Sequence, residues 1–141
     1  MPDTIRVEQH VAAPPEAVFD AWLTADALAR WWWPHIPDTT YAIDARPGGA
    51  YAIRSAAAGI GVEGEVVAID RPQELQLTWR WLNDGIAQVE EPVVVAFAAE
   101  DDGTLVVVTH ELDDLAGEGD GIRQGWESVL GRLAKARERG S

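Results

Sequence analysis

Cysteine is absent from this chain of 141 residues. That absence excludes disulfide staples, thiolate metal sites and cysteine nucleophiles together. Positive charge is scarce: 11 Lys and Arg stand against 24 Asp and Glu, a formal net charge of −13. A surface of that sign repels phosphate backbones, so no nucleic-acid partner is expected. It suits solubility, and it leaves room for a basic protein partner or a cationic ligand. No apolar run approaches the roughly 20 residues that span a bilayer. The start, Met1-Pro2-Asp3-Thr4-Ile5-Arg6, lacks the cationic segment and apolar run of a secretory signal. A cytoplasmic protein without membrane insertion is the expectation. No His-x-x-x-His pair, Gly-x-Ser-x-Gly elbow or phosphate-binding glycine loop appears, so neither a metal nor a cofactor is expected. Gly117-Glu118-Gly119-Asp120-Gly121 alternates glycine but lacks the strand and basic residue of a phosphate site, and reads as a connector.

Tryptophan, by contrast, is abundant. Seven Trp accompany two Tyr and two Phe. Indoles carry large buried areas and an N–H that wants a partner, so this usage suggests a groove or cavity walled by rings. The length fits one domain, 1–141, able to bury a core without staples.

The pattern along the chain begins with alternation over Thr4–Val11, a strand. Pro14-Pro15-Glu16 starts a helix with Val18, Phe19, Trp22 and Leu23 on one face. Thr24 or Asp26 caps a second short helix carrying Leu28, Trp31 and Trp32, ended by Pro34 and Pro37. Strands follow over 39–46 and 50–56 around Pro47-Gly48-Gly49, with a turn at Gly59-Ile60-Gly61. Further strands run over 62–70, 75–81, 89–100 and 104–112, the last pair apolar on both faces and so expected to be covered on both. Residues 113–121 read as a loop. Ile122, Trp126, Val129, Leu130 and Leu133 then form one helical stripe opposite Arg123, Glu127 and Arg132. An antiparallel sheet with one apolar face needs a cover, and this long helix has the length for it.

In that order, Pro14–Trp22, Trp31-Trp32, Arg46-Pro47-Gly48-Gly49, Gly64 with Ile69, Leu77-Thr78-Trp79, Gly103-Thr104, Thr109-His110 and Gly125-Trp126 match the signatures of a known group. The chain resembles the SRPBCC (START-like) superfamily, in the branch related to the C-terminal domain of the activator of heat-shock protein 90 ATPase. The resemblance implies an α+β helix-grip fold: a curved antiparallel sheet of six or seven strands around a long C-terminal helix, with two short helices after the first strand. The leading expectation is binding of an apolar or aromatic small molecule in an aromatic-lined cavity; polyketide cyclase-like catalysis comes second, and a stress-response interaction with heat-shock protein 90 third. Such activators carry a further N-terminal domain that this sequence does not contain, which weakens the third expectation.

The ring-wall candidates are Trp31, Trp32, Tyr51, Trp79, Trp81, Phe97 and Trp126, although a single buried ring is more often packed core. Trp79 and Trp81 share a strand face. His110 shares a face with Val106 and Val108 and titrates near neutrality, so it could orient a ligand, act as a base or simply be a satisfied core histidine. His10 falls on the polar face of its strand and His35 in a loop. Arg46 faces Asp44, as a local pair or an anion anchor. Glu63 and Glu65 become candidate bases if either points inward. Gly125 within a helix costs about 1 kcal/mol against Ala, which suggests a close approach, and the resemblance places it beside the cavity. No catalytic residue is assigned, and a homodimer is left open.

Overall fold

The computed structural model describes residues 3–33, 36–71, 73–84, 86–100, 102–112 and 119–140. Strand β1 (Asp3–Val11) leads into two short helices, α1 (Pro15–Asp20) and α2 (Ala25–Leu28). Six strands follow: β2 (Thr39–Ile43), β3 (Ala50–Ser55), β4 (Ile60–Asp70), β5 (Glu74–Asn83), β6 (Ile86–Glu100) and β7 (Gly103–Leu112). The long helix α3 (Gly119–Gly140) closes the chain. The strands form one curved antiparallel sheet in the order β1-β7-β6-β5-β4-β3-β2. The first strand therefore returns beside the last, and α3 packs back over β1. This is the α+β helix-grip arrangement that the signatures imply.

Local chemistry sets these elements. Pro15 opens α1 where a missing N–H costs nothing. The Thr24 hydroxyl caps α2, accepting from the Ala27 N–H at 3.1 Å. The β2–β3 turn folds back on β4: Gly48 N–H donates to the Val66 carbonyl and Val66 N–H to the Gly49 carbonyl, both at 2.7 Å. A Cβ at Gly49 would stand 2.1 Å from the Asp44 carbonyl oxygen, so only glycine fits there.

Period two decides the layers. Val62 and Val66, Leu75 and Leu77, Val93 and Val95, and Val106 and Val108 all point to the buried inner face. The α3 stripe lands on that face through Trp126, Val129, Leu130 and Leu133. The outer face is less covered than the apolar runs imply. Val94 and Val107 are half-buried and Val67 is exposed, because the described helices pack on the inner side only.

Several boundaries differ from the sequence reading: β2 ends at Ile43, short of residue 46, and β6 begins at Ile86, before residue 89. Helix α2 stops at Leu28, and Trp31 and Trp32 occupy the turn that follows, where their N–H groups still bond to the Leu28 carbonyl. Trp33 then takes a φ of 54°, which no helix continues. Ile60 and Gly61 already belong to β4, with the turn before them. Residues 119–121 are helical instead of loop; 113–118 lie outside the described residues.

Candidate functional site

Strand register brings three inward positions together. Trp79 pairs with Glu91 across β5 and β6, and Val93, the next inward position after Glu91, pairs with His110 of β7. Helix α3 lowers Trp126 onto them. The His110 Nε2 lies 2.8 Å from the Glu91 carboxylate, and the Trp126 indole N–H donates to His110 Nδ1 at 3.0 Å. All three are shut from solvent: His110 is 0 % exposed, Trp126 2 % and Glu91 6 %.

The indole fixes the imidazole tautomer. Trp Nε1–H only donates, so Nδ1 must carry a lone pair and the ring hydrogen sits on Nε2, donated to Glu91. Imidazolium formation requires losing the Trp126 bond. Burial pushes the His110 pKa below its ordinary value, against the hydrogen bond and charge of Glu91, which raise it. His110 is thus a neutral link between a carboxylate and an indole.

Rings surround this chain of groups. Trp126 lies 5.0 Å from Trp79, 5.5 Å from Trp32 and 6.3 Å from Trp22, centroid to centroid. Trp22 also meets Trp31 at 4.8 Å and Phe97 at 6.1 Å. Trp79 stands against His110 itself at 5.3 Å. Most of these contacts are edge-to-face, the favoured geometry of aromatic pairs. Two of the indoles are not satisfied. The Nε1 atoms of Trp22 and Trp32 are buried without a hydrogen-bond partner among the described residues. Each such donor costs about 1–3 kcal/mol. By contrast, Trp31 Nε1–H donates to the Ala21 carbonyl at 3.0 Å and so anchors the turn.

Of the sequence candidates, the fold unites Trp31, Trp32, Trp79, Phe97, His110 and Trp126. Trp81 is half-buried at the margin, in contact with Trp33 at 5.9 Å. Tyr51 is buried nearby on β3, but its hydroxyl donates to the Thr78 carbonyl at 2.6 Å; burial, and then Glu63 and Glu90, push its pKa up.

Gly125 is a correction. It lies on the exposed side of α3, and a Cβ there would meet nothing within 4 Å, so it neither lines the ring cluster nor marks a close approach. Glu63 and Glu65 point outward as well. Glu63 pairs with Arg54 at 2.6 Å, and Glu65 is exposed. Arg46 pairs with Asp44 at 2.8 Å on the surface. His10 is exposed, and His35 lies outside the described residues.

Glu91 and Trp22 are the residues that the sequence reading missed. Counting back in twos from Phe97 and Val95 through Val93 places Glu91 inward. The flanking Glu90 and Pro92 hide that signal in a polar patch. A separate open cleft of about 660 Å³ is lined by Asp38, Arg54, Glu63 and Asp84 among others, and by none of the ring-cluster residues. Among the described residues, no helix is long and apolar enough to cross a membrane, and no group of three or more acidic or histidine side chains could hold a metal.

The family model described as activator of Hsp90 ATPase homolog 1-like protein matches residues 12–138. The chain belongs to that family. Its signatures from Pro14 to Trp126 all fall within the match. A comparison with curated proteins finds no match. Among solved structures, this family member is similar to a protein from Rhizobium leguminosarum, with 28 % identity, a TM-score of 0.81 and coverage of 99 % of this chain and 96 % of that one. Protein CV1439 from Chromobacterium violaceum gives 27 % identity, a TM-score of 0.78 and coverage of 98 % and 99 %. DynU16, from the dynemicin biosynthetic locus, gives 23 % identity and a TM-score of 0.82, over 99 % of this chain and 48 % of its own. The chain thus spans about half the length of DynU16, and at that identity the likeness is one of fold.

Proposed function

We propose that this protein binds a flat, largely apolar small molecule among the rings of the inner face, with the Glu91–His110 pair as a polar contact. The burial of that pair carries the reading. Packing does not require it, since the neighbouring inward positions on β6 and β7 are valines. Replacing a buried ionisable pair with apolar side chains is often neutral or stabilising. Titratable groups retained beneath rings mark binding and reaction sites. Entry needs ring movement, and Trp32 and Trp33 sit on a turn, the kind of segment that opens more cheaply than a strand.

Titration with tetralin or naphthalene tests this. A saturable change in Trp fluorescence is expected. Trp126→Ala should weaken binding at least tenfold, while Arg123→Ala, on the exposed side of α3, should leave it within about twofold. No saturable response to either probe overturns the reading.

The same pair supports a second reading, a polyketide cyclase-like enzyme. With both His110 nitrogens engaged, Glu91 is the candidate base and His110 its positioning residue. Such an enzyme should speed hydrogen–deuterium exchange next to the carbonyl of 1-tetralone, and Glu91→Gln should abolish the effect. A binding protein leaves the exchange rate unchanged. The family name also attaches to activation of the Hsp90 ATPase. Under the binding reading, adding this protein to the chaperone of the same organism leaves its ATPase rate unchanged at any ionic strength.

A further inference from the structure

The two unsatisfied indoles narrow the ligand. We infer that the ring cluster receives a neutral molecule presenting a carbonyl-type oxygen, which accepts hydrogen bonds from the indole N–H groups of Trp22 and Trp32. The inference rests on the small-molecule reading above and adds the chemical class.

Three observations lead there. First, both N–H groups are buried and unpartnered, on rings 6.2 Å apart, while the Trp31 and Trp126 indoles of the same cluster have found acceptors. Unsatisfied buried donors are rare and call for a reason. An indole N–H can only donate, so the missing group is an acceptor. A carbonyl oxygen has two lone pairs and can serve one or both donors. Second, these indoles pack against rings, and among the described residues no acceptor lies within hydrogen-bond reach of either N–H. Trp22 and Trp32 meet each other edge-to-face, and meet Phe97 and Trp126. At best this offers weak N–H···π contacts, which are second-order. Third, the charge disfavours an anion. The Glu91 carboxylate lies on His110, which itself meets the Trp79 and Trp126 rings that Trp32 touches, and the chain carries a net charge of −13. A carboxylate or phosphate would meet repulsion in a desolvated site. A neutral ketone, quinone or lactone oxygen satisfies both constraints.

The test uses 1-tetralone and tetralin, which share a skeleton and differ by a carbonyl in place of a methylene, with 1-naphthoate as the anionic arm. The wild-type protein should bind 1-tetralone. Loss of one hydrogen bond should then weaken 1-tetralone about fivefold more than it weakens tetralin in Trp22→Phe or Trp32→Phe. An assay on the wild-type protein does not depend on how the variants fold. With ¹⁵N-labelled Trp, the indole N–H signals of Trp22 and Trp32 should move downfield with 1-tetralone and not with tetralin. The Trp31 indole N–H, already held by the Ala21 carbonyl, should show no such difference between the two probes.

If both probes bind and the Trp22 and Trp32 signals respond alike to each, the inference falls and small-molecule binding stands. Indole signals already downfield without probe, and unmoved by 1-tetralone, mean that water fills the role, and the inference falls. So it does if 1-naphthoate binds as tightly as 1-tetralone. If no probe binds at all, the small-molecule reading falls and takes the inference with it.

Discussion

His110 makes the stability of this protein depend on pH in a direction that the structure fixes. In the fold, its Nδ1 is held as an acceptor by Trp126, and burial lowers its pKa. In the unfolded chain the imidazole returns to about 6.5. Below that value the unfolded state takes up a proton that the native state resists, so acid favours unfolding. The stabilisation is fully present above the unfolded pKa and is lost as pH falls toward the lowered folded value. The slope reaches at most about 1.4 kcal/mol per pH unit for one group. Between pH 7.5 and 5.5, with half of the range above the unfolded pKa, the loss from His110 comes to about 1.4 kcal/mol at most. Urea unfolding at both values, for wild type and His110→Gln, isolates this by difference, since the exposed His10 is common to both. The wild type should lose more stability on acidification than the variant. A ¹⁵N imidazole spectrum at neutral pH should show the hydrogen on Nε2. Equal pH dependence in the two proteins, or a hydrogen on Nδ1, refutes the Trp126–His110–Glu91 arrangement.

Glycine positions offer a matched pair. Gly125→Ala should raise stability by up to about 1 kcal/mol, because the site is exposed, helical and open, and urea midpoints measure it directly. Gly64→Ala should lower stability by about 1–3 kcal/mol or more, because the added methyl would stand 2.1 Å from the Thr78 carbonyl oxygen between two paired strands. Trp126→Phe keeps a ring on the cluster but strands His110 Nδ1 without its donor. It should cost about 1–3 kcal/mol and move the His110 titration upward in an NMR pH series.

The fold was legible because its signals are periodic and local. Alternation at Leu75, Leu77 and Trp79 needs no partner to be recognised, and the α3 stripe from Ile122 to Leu133 states which side is buried. The β2–β3 turn was equally plain, since Gly48 takes a positive φ of 86° and Gly49 has no room for a Cβ. The site was less legible, for the opposite reason. Gly125 misled because a helix glycine carries a cost without saying which side of the helix it lies on. The stripe itself held the correction: Trp126 is buried, and the residue before it is rotated about 100° away.

Glu91 shows where the information resides. Its own segment, Glu90-Glu91-Pro92, reads as polar surface. Its inward direction follows only from the period of Val93, Val95 and Phe97, and its partner lies nineteen residues further along, on β7. What makes Glu91 a candidate is the meeting of β5, β6, β7 and α3 at one point, which a single sequence records only through each strand's register. The unsatisfied donors of Trp22 and Trp32 are more hidden still. Every Trp has the same N–H, and only the packed neighbours reveal which buried ones lack an acceptor among the described residues. The proposed site is written in what the fold leaves undone, so a sequence reading reaches its ring walls and not the polar chemistry inside them.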